Sequence, residues 1–283
     1  MIPGPGLEEE GSIAGGGVRR RLAPGLSVRA IVPNAITVAA LCSGLTGIRF
    51  AIDGNFDKSI LAIILAGVLD GIDGRAARLL KAQTRFGAEL DSLADSISFG
   101  VAPALIVYLW TLKAMPSLGW IAALAFAICC VLRLARFNSR LDMLEQPHKA
   151  VGFLTGVPAP VGAGLAFLPM YLWIASGRTE FANPIAVSLW MVLNAFLMIS
   201  SIPTLGWSRM RPPGSLRLGV LALVGLTVAS LLTETWFTLA AITIVYLLLI
   251  PVGLVTYAKV RRQSPLSASP VQDDLPYGAT DAS

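Results

Sequence analysis

Four aspartates, Asp70, Asp73, Asp91 and Asp95, lie in one stretch whose flanks on both sides are almost wholly apolar. Asp70 and Asp73 are three positions apart, and Asp91 and Asp95 are four apart. Residues at either spacing share a helix face. Two such helices packed side by side would bring four carboxylates to one spot. Ionised carboxylates so placed repel one another, and a divalent cation relieves the repulsion. All-oxygen donors suit hard ions, Mg²⁺ first, with Mn²⁺ or Ca²⁺ possible. A pair of such ions is suited to displacement at phosphorus. Arg75, Arg78 and Lys81 follow directly and could meet an anionic substrate. At about 100° per residue, Arg78 falls about 80° round the helix from Asp70, on the same face. Gly71, Gly74 and Gly87 remove side chains where backbones or a ligand must come close. The plain alternative is a solvated, salt-bridged loop. Against it, ionisable groups that face the interior of a membrane bundle are costly and usually functional.

The elements that must hold these residues are apolar helices. The chain of 283 residues is 55% hydrophobic and only 14% charged, and its mean hydropathy is +0.70. Soluble domains carry about 25% charged residues. Eight apolar runs, at about 34–52, 58–80, 92–112, 118–138, 157–176, 183–202, 216–232 and 235–257, are candidate spans. They do not alternate as the strands of a membrane barrel do. The expected fold is therefore an all-α, polytopic transmembrane helical bundle of about eight spans. Residues 1–30 read as a cytoplasmic tail, 31–262 as the transmembrane catalytic domain, and 263–283 as a disordered, Pro/Ser-rich tail.

Charge placement sets an orientation. With the N-terminus inside, cytoplasmic segments hold Arg19–Arg21 and Arg29, then Arg75, Arg78, Lys81 and Arg85, then Arg133, Arg136, Arg140 and Lys149, and further basic groups near Arg209 and Arg261. The outer loops hold only Lys58, Lys113 and Arg178, with Arg49 as an exception near the outer end of the first span. That asymmetry follows the positive-inside rule and supports an even span count. The net charge of +5 needs no nucleic acid to explain it. Cys42, Cys129 and Cys130 all lie in apolar runs, with no disulfide or metal spacing. His148 is the single histidine and reads as a loop residue, so catalysis must lean on carboxylates. No cleavable leader is expected. Trp110, Trp120 and Trp173 read as interface anchors.

The stretch D70-G-I-D73-G74-R-A-A77-R78, followed by G87-A-E-L-D91-S-L-A-D95, resembles the signature of the CDP-alcohol phosphatidyltransferases, D-x-x-D-G-x-x-A-R-x8-G-x-x-x-D-x-x-x-D. Every fixed position is present at the right spacing. Within that family the flanks are similar to integral-membrane phosphatidylserine synthases. They are "PNAIT" before the first span, "DSLADSISFGVAPAL", "LRLARFN", and "GFLTGVPAPVGAG". The resemblance implies an enzyme that moves the phosphatidyl group of CDP-diacylglycerol to the hydroxyl of L-serine and releases CMP. It implies that Asp70, Asp73, Asp91 and Asp95 ligate two divalent metals, Mg²⁺ or Mn²⁺, with Asp95 also the general base. It further implies CDP contacts from Asn34, Thr37, Gly74, Arg78 and Thr84, a homodimer, and a place in the bacterial inner membrane with the active site facing the cytoplasm. Serine also needs a cation for its carboxylate, and Arg133 and Arg136, three apart, are the candidates, with a topology flank as the plain alternative. The rival readings are another acceptor in the same family, such as glycerol phosphate or inositol phosphate, and an ion-coupled transporter. Clustering of all four aspartates at one membrane face speaks against the transporter.

Overall fold

A computed structural model describes residues 28–141, 153–200, 203–205 and 217–263. The Arg19–Arg21 cluster, His148, Lys149, Arg209 and most of both expected tails lie outside the described residues. The architecture of the described residues is predominantly helical. Helix α1 spans Val28–Ile52, α2 Phe56–Leu79, α3 Arg85–Asp95, α4 Ala102–Trp110 and α5 Pro116–Leu141. Then come α6 (Ala159–Ala166), α7 (Leu168–Ser176), α8 (Pro184–Ile199), α9 (Arg217–Thr233) and α10 (Thr235–Gln263). Two three-residue strands, β1 (Phe153–Thr155) and β2 (Pro203–Leu205), pair antiparallel with Leu154 opposite Thr204. The sequence reading did not foresee this ribbon, because three residues are too few to show a period.

Each of the eight apolar runs is largely helical over its described residues, but eight spans are not established. Among the described residues, three helical stretches are long and apolar enough to cross a membrane: Ala30–Ile52, Arg85–Trp110 and Pro116–Ser139. The pair α6 and α7, bent by 40°, makes a fourth if counted as one span. Helix α2 is long, but it carries Asp70, Asp73, Arg75 and Arg78 in its last turns. Helices α8 and α9 are shorter, at 16 and 17 residues.

The stretch Arg85–Trp110 is continuous only because a π-helical segment, Ser96–Val101, joins α3 to α4. Such insertions re-phase a helix and occur often at functional sites. This one begins directly after Asp95. Its inner face is held by close packing. A Cβ on Gly100 would lie 3.2 Å from Cys130 Sγ, and one on Gly44 of α1 would lie 2.6 Å from Ser98 Oγ. Small residues that let backbones approach are the usual means of helix association in membranes.

Helix α1 packs along α2 by the same means. Ser59 Oγ donates to the Gly47 carbonyl (2.7 Å), and Ser43 Oγ donates to that of Ala62 (2.7 Å). The apolar core runs through α2, the π-helical segment, α4 to α8 and α10, with Phe99, Ile106, Phe126, Met170 and Met191 fully enclosed. Outward-facing Leu61, Leu65, Ile128, Leu189 and Phe196 stay exposed, as lipid contact requires. Pro169 leaves the Leu165 carbonyl without its helical donor at the break between α6 and α7, and α8 bonds both to it and to a carbonyl within α6. Trp190 Nε1 donates to Leu165 O (2.8 Å), and Asn194 Nδ2 donates to Gly162 O (2.9 Å). The anchors Trp110 and Trp173 sit together, ring centres 5.5 Å apart, while Trp120 meets Tyr108 edge-on at 5.2 Å.

Candidate active site

The turn from α2 to α3 positions the site. Helix α2 ends at Leu79, and Lys81 takes a left-handed backbone (φ 49°) that reverses the chain. Thr84 then caps α3, its hydroxyl accepting from the Gly87 amide at 3.0 Å. The carboxylates at the end of α2 thus face those on α3. Ligand oxygens of Asp70, Asp91 and Asp95 all lie within 4.8 Å of one another. Those of Asp70 and Asp95 are in hydrogen-bond contact.

Asp73 is placed differently from the sequence expectation of four carboxylates at one spot. It is buried, and its Oδ2 accepts a 2.6 Å hydrogen bond from Thr37 Oγ1 of α1. It still feels the charges of Asp91 and Asp95. Three carboxylates therefore form the tight group, and the fourth is its neighbour, turned toward α1.

Beside this group lies a cleft of about 310 Å³ between α1, α2 and α3. It is lined by Asn34, Thr37, Asp73, Gly74, Thr84 and Asp91, so four of the five expected CDP contacts meet there with two of the aspartates. Pro33, Gln83, Gly87 and Ala88 also line it, and of these Gln83 and Ala88 were not singled out from the sequence. Gln83 had only its place beside Thr84 as a signal. Gly87 lets α1 and α3 approach, since a Cβ there would fall 2.9 Å from Asn34 Oδ1. Asn34 Nδ2 is buried with no hydrogen-bond partner. A buried donor of that kind is rare unless a ligand completes it. Arg78 is not part of the lining. It is exposed, and its Nε donates back to the Gly74 carbonyl at 2.9 Å.

The two candidate serine-binding arginines separate. Arg133 is half-buried on α5 and interacts electrostatically with Asp95. Arg136 is exposed, and its Nη1 donates to the Ile199 carbonyl (2.9 Å) at the end of α8. Asn138 Nδ2 reaches Ser92 Oγ of α3 at 2.8 Å, tying the end of α5 to the aspartate helix.

The donor set fits a divalent cation. It consists only of carboxylate oxygens, and no salt bridge from a described residue neutralises the three that converge. Two carboxylates in hydrogen-bond contact need a proton or a cation between them.

A family model for CDP-alcohol phosphatidyltransferases matches residues 30–207, and a second, CDP-alcohol phosphatidyltransferase 2, matches residues 215–251. The chain belongs to the CDP-alcohol phosphatidyltransferase family and is an integral membrane protein. Among known relatives, it is 37% identical over 247 residues to the CDP-diacylglycerol–serine O-phosphatidyltransferase of Mycobacterium bovis, covering 87% of this chain and 84% of the relative. It is 34% identical over 171 residues to the protein of that name from Bacillus subtilis, covering 60% of this chain and 88% of the relative. The protein of that name from Helicobacter pylori is 32% identical over 200 residues, covering 70% of this chain and 80% of the relative.

Proposed function

We propose that this enzyme transfers the phosphatidyl group of CDP-diacylglycerol to the hydroxyl of L-serine, giving phosphatidylserine and CMP. The observation that carries the reading is the meeting of Asp70, Asp91 and Asp95 at the edge of the cleft that Asn34, Thr37, Gly74 and Thr84 line. The relatives' shared acceptor, serine, supports the choice among alcohols.

Asp70, Asp91 and Asp95 would hold divalent cations, with Asp73 completing a set for two ions, Mg²⁺ or Mn²⁺. Such ions neutralise the diphosphate and stabilise the departing phosphate oxygen. The cytidine and its α-phosphate occupy the cleft, where Asn34 Nδ2 gains the acceptor it lacks. Thr37 holds Asp73 in one orientation through its hydroxyl. Asp95 takes the proton from the serine Oγ as that oxygen attacks the phosphorus bonded to the diacylglycerol. The bond from that phosphorus to the bridging oxygen breaks, and CMP leaves with the bridging electrons. Arg78 would meet the diphosphate through its Nη groups, its Nε being engaged by the Gly74 carbonyl. Arg133 rather than Arg136 is the cation for the serine carboxylate, because its charge is the one that Asp95 influences.

The exposed Arg75, Arg78, Lys81 and Arg85 beside the site support a cytoplasmic-facing site by the positive-inside rule, with the inner membrane of a bacterium as the matching compartment. A homodimer is the expected assembly, and mass measurement in detergent checks it. The test of the function is an acceptor panel. Purified protein receives labelled CDP-diacylglycerol, Mg²⁺ or Mn²⁺, and serine, glycerol phosphate or inositol phosphate in turn. Metal-dependent CMP release with serine alone is the expected result. Release with a phosphorylated polyol instead would overturn the acceptor, and no release with any alcohol would overturn the enzyme.

A further inference from the structure

The nucleotide cleft is built by α1, α2 and α3, yet the carboxylates have a second polar neighbourhood that none of its lining residues reaches. It comes from α5 and α10. The Nε–H of Arg133 on α5 is buried with no hydrogen-bond partner, and so is the hydroxyl of Tyr246 on α10. The Tyr246 ring packs against the apolar core, which holds it in place. The two side chains are close enough to interact electrostatically, and Arg133 interacts with Asp95 as well. Buried donors are almost always paired. Two unpaired donors within electrostatic range of each other, one of them also within range of a carboxylate of the metal group, mark the place of an acceptor that no described residue supplies.

The chemistry of the missing acceptor follows from the donors. A guanidinium donates only, and a phenol hydroxyl donates as readily as it accepts. Together they suit a carboxylate, one oxygen to each. In serine, the carboxylate and the reacting hydroxyl are held on adjacent carbons. Whatever grips the carboxylate must therefore neighbour the group that takes the hydroxyl proton. Arg133 meets that condition, whereas Arg136 is bonded to the end of α8.

We propose that Tyr246 is a specificity-determining residue for the acceptor, its hydroxyl donating to the amino-acid carboxylate beside Arg133 Nε. This rests on serine being the acceptor. It gives α10, which lies beyond the residues 30–207 matched by the main family model, a direct part in choosing the substrate.

The experiment is steady-state kinetics on the full chain in detergent, with CMP release as readout and the substitution Tyr246→Phe, which removes one oxygen and keeps the ring. KM for serine should rise about tenfold, the usual effect of one lost hydrogen bond to a charged group. KM for CDP-diacylglycerol should stay within about twofold, because the nucleotide cleft is untouched. The double variant with Arg133→Lys should raise the serine KM by less than the product of the two single effects, since both donors grip one carboxylate. An unchanged serine KM in Tyr246→Phe overturns the proposal. Equal rises in both KM values overturn it too, because they show a packing role only. Wild-type protein that ignores serine overturns the acceptor reading itself, a result distinct from either.

Discussion

Thr37 on α1 donates its hydroxyl proton to Oδ2 of Asp73 on α2 across 2.6 Å. Thr37 Oγ1 also lies 3.1 Å from the Pro33 carbonyl, but one proton serves one acceptor at a time, and the charged, closer one wins. The bond ties the nucleotide side of the site to the carboxylate side. It also explains why Asp73 stands apart from the tight group of three.

Thr37→Val should therefore leave Asp73 buried with its orientation free. Hydrogen bonds to charged groups contribute about 1.5–3 kcal/mol, so kcat/KM for CDP-diacylglycerol should fall at least about tenfold. Thr37→Ser keeps the hydroxyl and should restore most of the activity. A valine variant with wild-type kcat/KM would show that the bond is incidental.

Asp95→Asn keeps the shape of the side chain but cannot take a proton as a carboxylate does. Turnover should fall by about 10²–10⁴-fold, the usual contribution of a general base. Binding of CDP-diacylglycerol, followed by titration calorimetry in detergent, should persist. Near-normal product formation would remove the general-base role, and loss of nucleotide binding would recast Asp95 as chiefly a metal ligand.

Asp70→Asn and Asp73→Asn each remove charge from a site built on it. Both should need more Mg²⁺ or Mn²⁺ for half-maximal activity, Asp70→Asn the more so because its oxygens lie within the 4.8 Å group. Chelation of the wild type should abolish CMP release, and added metal should restore it. Superimposable metal-activation curves for wild type and both variants would rule out the site.

Arg133→Lys retains the charge but loses the fixed, planar Nε–H donor. KM for serine should rise by about tenfold or more, with KM for CDP-diacylglycerol nearly constant. Arg136→Lys should leave both KM values in place, because Arg136 serves the Ile199 carbonyl at the end of α8. The reverse pattern would move the carboxylate contact to Arg136.

Gly44→Ala would place a methyl group 2.6 Å from Ser98 Oγ and 3.0 Å from its Cα. The backbone side of that contact cannot turn away, so α1 and the π-helical segment must part. Overpacking of this kind costs about 1–3 kcal/mol, visible as a lower melting temperature in detergent. The substitution Gly71→Ala meets nothing within 4 Å and serves as the control.

Much of this site can be read along the chain. Spacing within one helix is local geometry, so pairing of Asp70 with Asp73, and of Asp91 with Asp95, follows from 3.6 residues per turn. The apolar runs and scarce charge specify a helical membrane bundle, since the bilayer leaves the backbone few other ways to satisfy its hydrogen bonds. The gapped signature from Asp70 to Asp95 carries the family by itself. What lies between helices was not legible. Nothing in the spacing says that Asp70 meets Asp95 while Asp73 turns to Thr37, because that depends on the rotation of α1, α2 and α3 about their axes. That rotation is set by contacts such as Gly87 against Asn34 and Gly44 against Ser98, between residues far apart in sequence. Arg133 and Arg136 were equivalent as a pair three positions apart. Only the packing of α5 against both α8 and the π-helical segment sends one to the Ile199 carbonyl and the other toward Asp95. Tyr246 carried no local signal, as an aromatic in an apolar helix is ordinary until the fold brings it to Arg133.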